Sequence, residues 1–421
     1  MAFLGIRRYF KGCLNGFKAM HIAVSHSQKE NASEAVHEAF QELRSGLDGP
    51  PDLIFAYYSQ SLDPGDVADA LAANAPGIAV QGGSSSQGVL VNSGFIPGNP
   101  AVLGLFGIHD PDGDFGVGLR DFDAGPRQAG AGAIRDSLQQ AGRPGESPLF
   151  VWMTATPGCE EEVLSGIESV LGPNIPVMGG SAADDAVCGD WSIIGGERVL
   201  LQGVAVTCLF PSSEPGFSFH SGYSPSEHFG IATKTDGRIL QEIDGRPAAQ
   251  VYNEWTGGAV SQVLAEGGDV LHLTNWYPLA RFKHQLGKVP LYLLSHPEKV
   301  LPDQSMSLFT EIEDRDRITL MTGSRSSLVN RPARVVESVL LNNDYRPEQI
   351  SGALIVFCGG SMLAVRDDLD EARRKVRDLL GDVPFLTIFT FGEQGSLTQG
   401  ANYHGNLMVS VILFSNQPSA L

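Results

Sequence analysis

Residues 80–90 read V-Q-G-G-S-S-S-Q-G-V-L: an apolar run, two glycines, three serines, a third glycine and another apolar run. Two readings compete, and each leads to a different architecture. A phosphate-binding P-loop needs a lysine followed by Ser or Thr after its glycines, so that ammonium meets phosphate and hydroxyl meets magnesium. Gly82–Gly88 contains no lysine. A dinucleotide fingerprint needs its glycines to open a helix, whereas V-L-V-N-S-G-F (89–95) is strand-like. Residues 176–185, P-V-M-G-G-S-A-A-D-D, repeat the loop with Asp184 and Asp185, whose carboxylates would repel a phosphate. The stretch therefore reads as a strand exit. Its glycines let backbones approach closely, and its hydroxyls and amides face a cleft.

The same grammar occurs three times. P-D-L-I-F-A-Y-Y-S (51–59) leads to 77–88 and then to A-V-L-G-L-F-G-I-H (101–109). P-L-F-V-W-M-T-A-T-P-G (148–158) leads to 175–185 and then to G-V-A-V-T-C-L-F (203–210). G-A-L-I-V-F-C-G-G-S (352–361) leads to 383–396 and then to L-M-V-S-V-I-L-F (407–414). Repetition of this kind implies related sheet units. The nearly continuous β-branched and aromatic runs are strands buried on both faces. Each unit has a helix between its first two strands. Asp63-Pro64 starts one, acids open the first turn of 159–172 where the helix dipole favours them, and Gly381 closes 366–381. A Pro-, Ser- and Gly-rich joint at 210–227 places a boundary near Pro225, dividing 21–225 from 226–421. Beyond it, Asp236-Gly237 and Asp244-Gly245 predict turns, with a helix following.

The totals set outer limits. A chain of 421 residues is too long for one ordinary core. A formal net charge of −19 argues against a nucleic-acid partner, which would need a basic face. Cys13, Cys159, Cys188, Cys208 and Cys358 are odd in number and widely spaced, with neither CxxC nor zinc spacing. They suit a reducing cytoplasm. Residues 1–20 carry Arg7, Arg8, Lys11 and Lys18 among broken apolar positions. They are expected to form a flexible leader, with Met20 an alternative start and a membrane-surface helix the competing reading. No stretch is long and apolar enough to cross a bilayer.

Taken in order, 80–88, 176–185, I-L-Q-E-I-D-G-R-P-A-A-Q-V-Y-N-E-W (239–255), 353–361, 385–397 and Y-H-G-N (403–406) resemble the FIST domain pair, N-terminal and C-terminal. The resemblance runs from about His21 onward. It implies an α/β protein of two FIST-like halves, with mixed twisted sheets flanked by helices and built from repeated strand–helix–strand units. It also implies a cytoplasmic sensory domain binding a small molecule such as an amino acid. Partners implied are a histidine kinase or a cyclic-di-GMP enzyme, either diguanylate cyclase or phosphodiesterase. Some relatives, the NosP group, are haem proteins that sense nitric oxide. Two departures touch the ligand site. An arginine expected shortly after the cysteine is missing from F-C-G-G-S-M (357–362), and the His-Asn near the last strand is split here as His404-Gly405-Asn406.

The candidate site residues follow from these corners. Ser84, Ser85, Ser181, Asp184 and Glu393 are expected to orient the ligand, although Glu393 has the alternative of capping a turn. Cys358 and His404 either line the pocket or form a thiolate–imidazolium pair, as in a thiol enzyme. For haem, a candidate cofactor, L-H-L-T-N-W-Y-P-L-A-R-F-K-H-Q-L-G-K-V-P (271–290) offers His272 and His284 as ligands. Trp276, Tyr277 and Phe282 would supply the aromatic surface there, and Arg281 and Lys283 would meet propionates. An ordinary amphipathic segment covering a sheet has the same pattern.

Overall fold

Leu53–Tyr58, Phe150–Ala155 and Ile350–Cys358 are the apolar runs that open the three repeats, and each lies at the centre of its own six-stranded sheet. The computed structural model describes residues 19–286, 289–398 and 401–418. Each central strand runs parallel to the strand beyond its helix: Ala79–Ser84, Val177–Gly180 or Phe385–Thr390. Each runs antiparallel to the closing strand: Leu103–His109, Gly203–Phe210 or Met408–Ser415. The intervening helices are Pro64–Asn74, Glu160–Leu171 and Leu369–Leu380. Asp63 caps the first by accepting from the Asp66 amide at 2.9 Å. Gly381, at φ +66°, ends the third.

A hairpin follows the second strand of every unit and completes a neighbour's sheet instead of its own. Gly88–Val91 pairs with Phe385–Thr390 of the third sheet. Glu393–Thr398 pairs with Val177–Gly180 of the second, and Ile193–Gly195 pairs with Ala79–Ser84 of the first. The exchange is cyclic: first unit to third, third to second, second to first. It covers an edge of each sheet whose backbone N–H and C=O groups would otherwise stand open.

The role of the glycine-serine turn follows from this packing. A Cβ on Gly82 would lie 1.7 Å from the Ala56 carbonyl oxygen, and one on Gly179 would lie 1.9 Å from that of Met153. The parallel strands approach to a distance that only glycine permits.

The outer sheet faces pack beneath helices, and the inner faces share one core. Rings of Phe55 and Trp152 lie 5.5 Å apart, those of Phe106 and Phe414 5.6 Å, and those of Phe150 and Phe414 6.1 Å, so all three units are joined by aromatic contacts. Each such ring contributes roughly 1.5–3 kcal/mol by its burial. A buried polar chain crosses the same junction. Trp152 Nε1 donates to the Tyr57 hydroxyl at 2.8 Å, Tyr57 meets Thr154 at 3.0 Å, and Gln81 Nε2 donates to Thr154 at 3.0 Å. Thr207 donates to Gln81 Oε1. Thr154→Val keeps the shape but strips Tyr57 and Gln81 of a partner. It is expected to lower stability by about 1–3 kcal/mol, read as a lower urea midpoint at unchanged slope.

The third unit is interrupted. Its outer strand, Gly216–Ser221, pairs with Met408–Ser415, and the chain then leaves to build a nine-stranded sheet from strands between Ser224 and Thr322. It returns through the helix Arg325–Asn342. The expected joint at Pro225 falls where the chain passes into the inserted sheet, so the two halves share the third sheet. Gly237 and Gly245 turn at φ +56° and +74°, and the helix Ala248–Trp255 follows, as the sequence predicts. Residues 1–18 of the leader lie outside the described residues. Met20 is buried, and its carbonyl accepts from Ser351 Oγ at 2.6 Å. Among the described residues no helix is long and apolar enough to cross a membrane.

Candidate functional site

The exits of the three second strands meet where the hairpins cross. Ser86 N donates to the Phe389 carbonyl at 3.0 Å, Ala183 N to Ser84 at 3.0 Å and Ser181 N to Gly392 at 2.8 Å. The expected corners therefore converge, but their polar atoms are spent on one another. Ser84 Oγ accepts from the Ser192 amide at 3.1 Å. Ser85 Oγ donates to the Gly88 carbonyl at 2.7 Å and accepts from Phe389 N at 2.9 Å. Ser181 Oγ donates to Glu160 Oε1 at 2.7 Å. Asp184 accepts from five successive amides, those of Ala186 to Asp190, and so organises its own loop. The three serines clasp the units together and Asp184 holds its own loop; none of the four lines the cleft described below.

Glu393 is fully buried. Its oxygens accept from Thr390 Oγ1 at 2.8 Å and Met408 N at 2.9 Å, and the Cys358 thiol lies against it. Burial pushes its carboxyl up to about 8, against the pull of those hydrogen bonds. A folded-state value above the unfolded one means that its stabilisation is complete below about pH 4.5 and is lost as pH rises through about 8. Glu393→Gln is expected to flatten that decline in Tm measured between pH 5 and 9, while changing Tm least at the acid end.

Beside Glu393 lies a buried charge cluster. Glu160 opens its helix with the carboxylate 1% exposed and accepts from Gly158 N at 3.0 Å. Arg238, from the inserted sheet, donates to Glu160 at 2.6 Å and to Glu161 at 2.5 Å. Burial opposes the charge on Glu160, but His404 and Arg238 outweigh it and hold the carboxyl well below the usual range. His404 Nε2 lies 3.2 Å from the Phe309 carbonyl and 3.8 Å from Glu160, while Nδ1 meets Gln394 at 3.1 Å. Both ring nitrogens are committed away from Cys358. Burial, followed by the nearby Glu393 carboxyl, holds the Cys358 thiol well above its ordinary value. Of the two readings of Cys358 and His404, the thiolate–imidazolium pair does not form. Glu160, Glu161 and His404 offer metal-ligating atoms within 4.8 Å of one another, but the Arg238 guanidinium already pairs with both carboxylates.

The open cleft lies between the inserted sheet and the third unit. Its empty space, open solvent at the mouth included, is about 480 Å³, and it is lined by residues including Leu271, Asn275, His296, Phe309, Cys358 and Phe391. Among the described residues lining it there is no lysine, arginine, aspartate or glutamate. Two buried acceptors there have no partner: Asn275 Oδ1, on a residue 8% exposed, and His296 Nε2, on a residue 3% exposed. Burial pushes the His296 imidazole down to about 3, so it is neutral, and the Leu271 backbone hydrogen-bonds the ring. His272, expected as a haem ligand, is exposed at the rim. His284 lies on the strand Leu279–Leu286, and its side chain falls outside the described residues. Haem would find one imidazole nitrogen here and no cation for its propionates. Arg281 instead lies among Glu161, Asp316 and Glu311. The lining is a poor match to that dianionic macrocycle.

Sequence reading thus reached Cys358 inside the cleft and His272 at its rim. It passed over Asn275, His296, Glu160 and Arg238. Glu160 sits among three acids whose position at a helix start already accounts for them. His296 follows the apolar strand Val289–Ser295, where a polar residue reads as the start of a loop. Burial without a partner is the signal for both cleft acceptors, and no local pattern encodes it.

Known proteins bear on this arrangement. The family model of the FIST N domain matches residues 52–246, and that of the FIST C domain matches residues 248–396. An uncharacterized protein of Methanocaldococcus jannaschii is 29% identical over 105 residues, which cover 25% of this chain and 20% of that protein. The chain therefore spans about a fifth of that relative's length. Two solved structures of cyanuric acid hydrolase, one from A. caulinodans, align over 94% of this chain. They cover 99% and 100% of their own chains, at 11% and 10% identity and TM-scores of 0.36 and 0.34. Likeness at that level carries no argument about fold or activity.

Proposed function

The chain belongs to the FIST family, whose domains are sensory and bind small ligands within signalling proteins, and from that premise we propose that its ligand occupies the cleft between the inserted sheet and the third unit. One observation carries the reading: two acceptors that are buried, unpartnered and set in an apolar lining. Such groups cost about 1–3 kcal/mol each when left unmet, and a ligand recovers that. Occupancy would be passed to a separate signalling enzyme, a histidine kinase or a cyclic-di-GMP enzyme, in the cytoplasm. The free thiols of Cys159, Cys188, Cys208 and Cys358 accord with that reducing compartment.

A chain of contacts from the cleft to the junction of the inserted sheet and the second unit supports the sensory part of this proposal. Phe309 contributes its ring to the cleft and its carbonyl to His404, which adjoins the Glu160–Arg238 contact between the inserted sheet and the second unit. A ligand that moves Phe309 would bias that contact. The test is a metabolite screen by thermal shift. A true ligand at a hundred times its Kd should add about 2.7 kcal/mol of stability. His296→Leu should remove that gain while leaving the unliganded Tm within a few degrees. A ligand whose shift survives in His296→Leu would move the site elsewhere and defeat the reading.

A further inference from the structure

We infer that the cleft selects a small neutral molecule presenting two N–H donors on one edge, of the amide, urea or lactam class, with an apolar or aromatic body. The inference rests on the proposal that this cleft is the ligand site, and it adds the chemistry of the occupant. His296 Nε2 offers a lone pair and Asn275 Oδ1 a carbonyl oxygen, and neither has a protein donor. Both residues line the same cleft beside Gly360. A side-chain carbon placed on Gly360 would lie 3.0 Å from Leu407 Cδ2, 3.3 Å from Asn275 Oδ1 and 3.6 Å from His296 Cε1, so both side chains border the same glycine.

Both acceptors are held in place from behind. The Leu271 backbone hydrogen-bonds the His296 ring. The Asn275 backbone carbonyl accepts from the Tyr223 hydroxyl at 2.8 Å, and Asn406 Oδ1 accepts from His296 N at 3.3 Å. Two acceptors side by side favour an edge bearing two donors and reject an edge bearing acceptors. Phe309 and Phe391, with Leu271 and Leu363, then receive an apolar or flat body.

Charge decides between this class and an amino acid. The described lining contains no lysine, arginine, aspartate or glutamate. A ligand carboxylate or ammonium would leave water without meeting an opposite charge, which costs far more than an unmet neutral group. Glu393, the carboxyl behind Cys358, is itself fully buried and bonded to Thr390 and Met408 N.

The experiment is calorimetric titration of the full chain with six probes: benzamide, phenylurea, methyl benzoate, benzoate, benzylammonium and phenylalanine. Benzamide and phenylurea are expected to bind, and the other four to bind at least tenfold more weakly. His296→Leu and Asn275→Leu should each weaken benzamide about tenfold or more, with circular dichroism unchanged. Asn275→Asp should gain benzylammonium binding, because it sets a carboxylate where a neutral oxygen stood. Binding of phenylalanine or benzoate that disappears in His296→Leu would overturn the neutral-donor inference and leave the cleft as the site. Benzamide binding that persists in both leucine variants would overturn both. No binding by either neutral-donor probe overturns the inference.

Discussion

Arg238→Met is expected to lower stability by about 3–5 kcal/mol, the cost of leaving a buried carboxylate without its counter-charge. On thermal melting that is a fall of roughly 3–6 °C. Methionine keeps most of the stem volume, so the loss reports charge more than packing. Glu160 is 1% exposed and Arg238 20%, so water does little to screen the pair. Glu160→Gln added to Arg238→Met should recover about half of the loss, because the orphaned charge is gone. The dependence on pH gives the cause. In the wild type, the folded-state pKa of Glu160 is depressed, so its contribution is present above the unfolded value of about 4.5 and is lost as pH falls below it. In Arg238→Met only His404 and the Ser181 hydrogen bond still oppose burial, and the carboxyl is expected to rise above its unfolded value, so the penalty should be largest at pH 8 and shrink as pH approaches 5. A deficit constant from pH 5 to 8 would mean that the arginine acts through packing.

Gly179→Ala should be at least as damaging, at about 4 kcal/mol, and is expected to yield largely insoluble protein. Two effects act together. The backbone there is at φ +145°, a region closed to side chains at a cost of about 1–3 kcal/mol. The added carbon would also lie 1.9 Å from the Met153 carbonyl oxygen, which belongs to the paired strand and cannot yield without breaking the ladder. Gly77→Ala separates the two effects. It too has positive φ, +78°, but nothing lies within 4 Å of the added carbon, so about 1 kcal/mol is expected. Equal losses in the two variants, read by urea denaturation, would show that strand approach is not what the glycine serves.

Strands were legible in the sequence wherever a central strand is buried on both faces, because that demands unbroken apolar runs such as L-I-F-A-Y-Y (53–58). Helix starts and tight turns were equally legible at Asp63 and at Gly237 and Gly245, where a cap or a positive φ restricts residue choice locally. The serines were found but their partners were not: Ser85 answers to Phe389, 304 positions away. Local patterns cannot name a partner at that distance.

By itself, the sequence determined that there are three related strand–helix–strand units, which residues form their strands, and that the glycine-serine corners are strand exits rather than phosphate loops. Those properties follow from periodicity and backbone sterics, which act over a few residues. Only the tertiary structure decided that each unit lends a hairpin to another, that Glu160 is buried against Arg238, and that Asn275 and His296 face a cleft unpaired. Burial and hydrogen-bond satisfaction belong to the whole packed chain, so such residues acquire their chemistry only when distant segments close around them.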